Sequence, residues 1–281
     1  DLNGRLDFTL PCDKNSSLKF GGRFRTKEKS RGNNFFEYEP TSGFSNLGSV
    51  PNRNESDPGF LAGRQYQVGS FTTPAYLGSL QLKNSALFEE KDLPEEYAAS
   101  NYNARENIYA AYIMANHSFS DKFSAVGGLR YEATNIDYTG NVYDIDNETV
   151  KSDSRSNSYG NFMPGLHLRY TPGKYTVLRA AWTNTIARPN YFDLVPYAEF
   201  SPQDQELSRG NPNLKASTAM NFDVMAEHYY KNVGLISGGF FYKNIDNFIY
   251  TQTLQNYSDP QFGTDLQYTR PLNGGTASVY G

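Results

Sequence analysis

Asp223 and Glu227 lie four residues apart in NFDVMAEHYY, and a pair of carboxylates is what glycoside hydrolysis uses. That segment alternates like a strand, on which four residues span about 13 Å, wider than the roughly 5 to 9.5 Å such mechanisms need. Asp144, Asp146 and Glu148 in DIDNE resemble the opening of a calcium loop, yet the glycine turn and the distal glutamate are missing. Cys12 is the single cysteine and His117, His167 and His228 the only histidines, so no thiolate or imidazole set for zinc exists. No nucleophile, base and orienting group can be assembled. The residues therefore read as those of a non-enzyme that carries no metal and no cofactor.

What remains is chemistry of binding. Phe35, Phe36 and Tyr38 in one polar stretch and Tyr191, Phe192 and Tyr197 in another supply rings beside polar groups. Such rings stack on sugars and on aromatic-armed iron chelates alike, so residue type alone does not choose between them. Arg188 precedes Pro189 just after an alternating segment, where it either contacts ligand or anchors a rigid strand exit, and the anchor is the simpler reading. Gly210-Asn211-Pro212-Asn213 reads as a turn, its Gly and Asn supplying positive φ and its Pro a fixed φ.

The elements that hold these residues show a period of two. Phe123, Ala125, Gly127, Leu129, Tyr131 and Ala133 share one face, opposite Ser124, Val126, Gly128, Arg130, Glu132 and Thr134. The same alternation sets Phe162, Leu166 and Leu168 against Asn161, Met163 and His167, and Leu178, Ala180 and Trp182 against Arg179, Ala181 and Thr183. It continues with Phe222 and Val224 against Asp223, Met225 and Glu227, and with Ile236, Phe240 and Tyr242 against Ser237, Gly239 and Lys243. Strands are expected near 2–10, 18–29, 107–119, 123–138, 159–170, 175–186, 218–229 and 233–250, with both faces of 107–119 too mixed to orient. Arg130, Glu132, Arg179, Asp223, Glu227 and Lys243 then lie on polar faces assigned to a lumen, where they brace the wall across strands or meet a polar ligand.

Connections divide sharply by length. Ser120-Asp121-Lys122, Thr171-Pro172-Gly173-Lys174 and Tyr230-Lys231-Asn232 are tight hairpin turns, whereas 31–102, 139–158, 187–217 and 251–281 are long polar loops. Short turns on one rim, long loops on the other, and aromatic residues such as Phe119, Phe123, Tyr170 and Tyr175 at the short-turn rim match a bacterial outer-membrane barrel. Most of the alternating segments run to about ten residues, beyond the usual globular strand of about 5 or 6, which weighs against a soluble β-sandwich. Mean hydropathy is -0.66 with aromatics at 15%. Low average hydropathy suits strands apolar on one face only. No apolar run reaches the length of a spanning helix. With 26 basic and 30 acidic residues in 281, net charge -4, no nucleic-acid partner is expected.

Three segments resemble, in order and spacing, the barrel of TonB-dependent outer-membrane receptors, in the form common in Bacteroidetes and in Caulobacter- and Xanthomonas-type bacteria. They are Arg179 to Trp182 running into Ala187 to Pro196, Gly210 to Lys215, and the strand carrying Asn221, Asp223, Glu227 and Tyr229. The resemblance covers 103–250 well and 18–31 more loosely. It implies an all-β, transmembrane antiparallel barrel, here about eight strands of a larger one of 22, with a plug domain and closing strands outside this chain. It implies outer-membrane lipid as surroundings, TonB as partner through the plug, a surface lipoprotein lid in glycan-uptake relatives, and import of a glycan fragment, a metal chelate or a similar nutrient. The alternative is a plugless surface β-protein acting in adhesion or ligand binding.

Overall fold

The computed structural model describes residues 1–41, 46–57, 59–60, 67–231 and 234–281. Its strands are β1 (Leu2–Pro11), β2 (Ser16–Arg31), β3 (Phe36–Pro40), β4 (Asn52–Asn54), β5 (Ser70–Thr72), β6 (Phe88–Asp92), β7 (Tyr102–Ser120), β8 (Phe123–Asp144) and β9 (Thr149–Gly173). They continue as β10 (Thr176–Ala187), β11 (Ala198–Ser201), β12 (Glu206–Arg209), β13 (Ser217–Tyr230), β14 (Gly234–Asp246), β15 (Ile249–Asp259), β16 (Gly263–Asn273) and β17 (Thr276–Tyr280). Short helices are α1 (Pro74–Ser79), α2 (Pro94–Tyr97) and α3 (Tyr191–Leu194).

Two compact units result, Asp1–Asn33 with Ala98–Gly281 and, separately, Asn34–Tyr97. The second unit occupies most of the stretch read as the loop 31–102 and has structure of its own, pairing β3 with β6 and β4 with β5. The first unit carries an antiparallel wall in the order β1-β2-β7-β8-β9-β10-β13-β14-β17 among the described residues. Seven of the expected strands lie in β1, β2, β7, β8, β9, β10 and β13.

The eighth, 233–250, is broken. Asn247 takes φ 54°, a left-handed turn that Asn tolerates, and the chain leaves the wall there. Thr276 to Tyr280 then return as β17 to pair with Asp246 to Tyr242. The stretch 251–281 is accordingly not a plain loop. It holds most of the β15–β16 hairpin and all of β17. Asn232 and Val233, placed by sequence in the last turn and at the start of that strand, lie outside the described residues.

Alternation fixes the two surfaces of the wall. Register pairs Ala110 with Glu132 and Thr134 with Tyr159, so the even residues of β7 and β8 share a face with the odd residues of β9. On the opposite face Phe8, Ile113, Phe162, Val224, Ile236 and Phe240 stay exposed. Water would disfavour so large an apolar surface. A bilayer is the medium in which strands apolar on one side, with every backbone group paired to a neighbour, are stable. Spanning takes about 9 to 11 residues, and β8 and β9, with 22 and 25, continue well past the apolar band, so that the stretch 139–158, expected as a loop, is paired strand closed by the four-residue turn 145–148.

There the connections build a sheet of their own. β11 pairs with β12, β12 runs parallel to β16, and β16 pairs with β15. A single parallel pair, Ala198 with Val142, ties β11 to β8. Two cores follow: Tyr102, Ala104, Ile136, Tyr138, Leu194, Val195 and Leu214 in one, and Ala198, Leu207, Phe262, Leu266 and Tyr268 in the other. The first core lies on the polar side of β7 and β8, covered there by the 187–217 segment.

Candidate functional site

The end of β10 sets Arg188 beside the wall, and Pro189, which cannot donate to the ladder, ends the strand there. The guanidinium turns onto the polar face. It donates from Nη2 to Glu132 Oε2 at 2.6 Å and to Thr134 Oγ1 at 3.0 Å, and Nε lies 3.9 Å from Glu106 Oε1. Glu132 is also held by Arg130 Nη2 at 2.5 Å. From α3, the Tyr191 hydroxyl donates to Glu106 Oε2 at 3.2 Å, while Lys27 Nζ stands 5.4 Å from the Tyr191 ring. Burial, with Glu106 close by, pushes the Tyr191 phenol up to about 12. The result is a network of opposite charges in which the carboxylates of buried Glu106 and half-buried Glu132 are both satisfied.

The same segment uses its rings for packing. Phe192 stacks on Tyr197 with centroids 4.3 Å apart and tilts against Tyr102 at 5.8 Å. Burial lifts the Tyr197 phenol to about 12. Tyr138 donates to the Pro212 carbonyl at 3.0 Å, and the Asn211 amide NH donates to the Asp193 carbonyl at 2.7 Å, which folds the Gly-Asn-Pro-Asn segment under α3. Gly210 does not take the positive φ expected of it. The glycine is required by space instead, since a Cβ there would collide with the Val195 carbonyl oxygen. Beyond it, Arg209 pairs with the buried Asp259 at 3.0 Å.

Of the residues singled out in the sequence, Arg130, Glu132, Arg188 and Tyr191 thus come together, and Phe192 and Tyr197 adjoin them. Arg188, Tyr191, Phe192 and Tyr197, read as ligand contacts in the loop, are occupied by protein partners. Arg179 and Glu227 pair at 3.2 Å across β10 and β13, a second brace. Lys243 sits 5.9 Å from the Phe241 ring, and the Asp223 side chain, on the same face, makes no hydrogen bond or ion pair among the described residues. Phe35, Phe36 and Tyr38 belong to the other unit. Phe35 is exposed, while Lys83 Nζ stands 4.9 Å from the Phe36 ring and 5.3 Å from that of Tyr38. The bond from Lys83, 2.5 Å long, lowers the pKa of Glu90.

Sequence reasoning missed Glu106, and placed Thr134 on the polar face without giving it a role. Glu106 was hidden because β7 could not be oriented, although the even residues Tyr102, Ala104, Ile108 and Ala110 flank it on one face. Nearer the short turns, an open groove of about 570 Å³ on the polar face is lined by Arg5, Arg23, Tyr112, Arg130, Glu132 and His167, among others. That volume lies within the range of small-molecule pockets. The arrangement offers cations and hydroxyls to a polar ligand. Among the described residues no group of three or more His, Cys, Asp or Glu could hold a metal ion.

Comparison with known proteins bears on this geometry. The family described as TonB dependent receptor-like, beta-barrel matches residues 1–281. A search among curated proteins gives no match. Among solved structures, the chain is similar to a mutant of the ferric enterobactin receptor PfeA of Pseudomonas aeruginosa, at 17% identity and a TM-score of 0.55, over 99% of this chain and 32% of that one. It is similar to the copper transporter OprC at 12% identity and a TM-score of 0.56, over 99% and 34%. The hemophore receptor HasR of Serratia marcescens, solved with its hemophore and heme, gives 12% identity and a TM-score of 0.51, over 99% and 44%. The chain spans less than half the length of each of these structures.

Proposed function

Because the chain belongs to the family of TonB-dependent receptor-like β-barrels, an outer-membrane family, we propose that it forms wall and outer segments of a receptor importing a scarce nutrient. The cargo class is a solute too large or too dilute for open diffusion, such as a glycan fragment or a metal chelate, and the energy comes from TonB acting through a plug domain. One observation carries the reading. A continuous wall is apolar on its lipid side and charged on the other, and the 187–217 segment is folded onto that charged side by Arg188 and Tyr191. A shaped interior of this kind suits selective uptake better than display of loops for adhesion. No observation on this chain supports a surface lipoprotein lid.

The test uses outer membranes of cells expressing the protein at its native length. Electrophoresis with and without boiling, and cross-linking in the same cells, are expected to give a heat-modifiable band and an adduct with TonB. A band whose mobility does not change on boiling, with no adduct, would overturn the proposal.

A further inference from the structure

Every odd-numbered residue of β2 from Lys19 to Arg31 is basic except Gly21: Lys19, Arg23, Arg25, Lys27, Lys29 and Arg31. Register sets them opposite Met114, Ala110, Ile108, Glu106, Ala104 and Tyr102 of β7, which places all six on the polar face. The even residues Leu18, Phe20 and Phe24 belong to the lipid face. Twelve residues of strand cover about 40 Å, so the column runs from the short-turn end of the wall past the apolar band to the outer segments.

Several other polar-face cations are neutralised, Arg130 and Arg188 by Glu132 and Arg179 by Glu227, whereas Arg169 and Lys243 stand singly and form no ion pair among the described residues. None of the six on β2 forms an ion pair among the described residues. Arg23 bonds only to the neutral Asn3 side chain, at 2.9 Å, and Lys27 and Lys29 stand over the rings of Tyr191 and Tyr102. Arg5 of β1 lies directly opposite Arg23, a like-charge pair that a sheet disfavours. Arg5 and Arg23 also line the 570 Å³ groove. Only Asp7 and Glu106 face this surplus from β1 and β7, and each is already engaged, Asp7 by Arg5 and Glu106 by Tyr191. Unneutralised like charges aligned on a low-dielectric wall create a field that concentrates anions.

We propose that the basic column of β2, with Arg5, is a stepwise binding track for an imported ligand carrying several carboxylates or phosphates. Alternate residues repeat every 6 to 7 Å or so, so a polyanion would keep two or more cations engaged while moving from one step to the next. The track rests on the reading of the chain as an uptake receptor and gives that receptor a substrate class, the multiply charged anion.

The experiment measures equilibrium binding by calorimetry to the protein purified at native length in detergent. The probes are inositol hexakisphosphate, benzenehexacarboxylate and the neutral sugar maltohexaose, and the two anions separate phosphate from carboxylate preference. At least one anion is expected to bind saturably, weakened by salt and weakened roughly tenfold or more in the Arg23→Gln/Arg25→Gln/Lys27→Gln variant. Arg105→Gln, which removes a cation from the opposite face, should leave that affinity unchanged. If the triple variant fails to fold, Arg25→Gln alone is expected to weaken binding measurably. Absence of anion binding by the parent, or affinity unmoved by these column variants, would overturn the track. Unmoved affinity with newly exposed protease sites would show instead that an acidic protein segment covers the column. Binding in detergent needs no TonB, so failure here leaves the import reading standing, whereas a missing TonB adduct would leave a binding track without import.

Discussion

The Arg188 guanidinium meets the Glu132 carboxylate at 2.6 Å across 56 residues of chain, joining the exit of β10 to the middle of β8. Arg188 is about one-fifth exposed and Glu132 less so. Arg188→Met keeps the apolar stem and removes the charge, leaving Glu132 with Arg130 alone and Glu106 with Tyr191. Breaking a buried pair from one side costs on the order of 3 kcal/mol. The variant is expected to open the 187–217 segment to limited proteolysis, whereas wild type resists it, and a double-mutant cycle with Glu132→Gln should show strong coupling.

Tyr191 gives a signature in alkali. Its phenol is held neutral to about 12 against an ordinary value of 10.0. The stability contributed is complete below the ordinary value and is lost as pH rises through about 12. Ultraviolet titration of tyrosinate is expected to lose one late-ionising phenol in Tyr191→Phe, and loss of the hydroxyl bond should cost about 1 kcal/mol.

Acid acts on a different place. At the tip of the β8–β9 hairpin, Lys151 and Asn147 bond to Asp144 and hold its pKa at about 2, below the ordinary 3.8. A depressed carboxylate contributes fully above its ordinary value, and the contribution disappears as pH falls through about 2. Amide exchange at 144–151, corrected for intrinsic rates, is expected to keep its protection from pH 7 to about 4 and to lose it approaching pH 2.

Close packing supplies a third site. Gly210→Ala would drive a Cβ into the Val195 carbonyl, and overpacking of this kind costs about 1 to 3 kcal/mol. Faster proteolysis within 187–217 is expected, with the wall intact by heat-modifiability. Equal resistance to protease in the variant would contradict the packing described.

The two faces of β13 make a paired test. Val224 is 57% exposed on the lipid side, where an arginine near the bilayer midplane costs roughly 2 to 4 kcal/mol. Val224→Arg should sharply reduce the folded, heat-modifiable band, and Met225→Arg, on the polar face, should leave it near wild type.

How much of this was legible in the sequence varies by element for physical reasons. The part of β8 from Phe123 to Thr134 could be read because lipid meets one side and polar surroundings the other. The β7 pattern was ambiguous because in its outer half Tyr102, Ala104, Ile108 and Ala110 are buried on the very face that carries Glu106. Lipid takes the other face lower down, so apolar residues occur on both. The β15–β16 hairpin reads as loop since it has no lipid-facing side, and polar pairs such as Thr253 with Thr269 are interspersed among the apolar ones, such as Leu254 with Tyr268, that feed the second core. The roles of Phe192 and Tyr197 depended on what covers them, which spacing does not encode. The column on β2 is legible in LKFGGRFRTKEKSR as basic residues at every second position but Gly21, because a period of two sorts charge onto one face as it sorts hydrophobicity.

The bridge between Ala198 and Val142, together with the pairing of β12 to β16, splints the outer segments on both sides of the exposed turn at 202–205. A protease cut within that turn would therefore sever the chain without releasing either end. The two pieces should travel as one particle through gel filtration and separate only when boiled, so a nicked protein would pass for an uncut one in any assay that never denatures it.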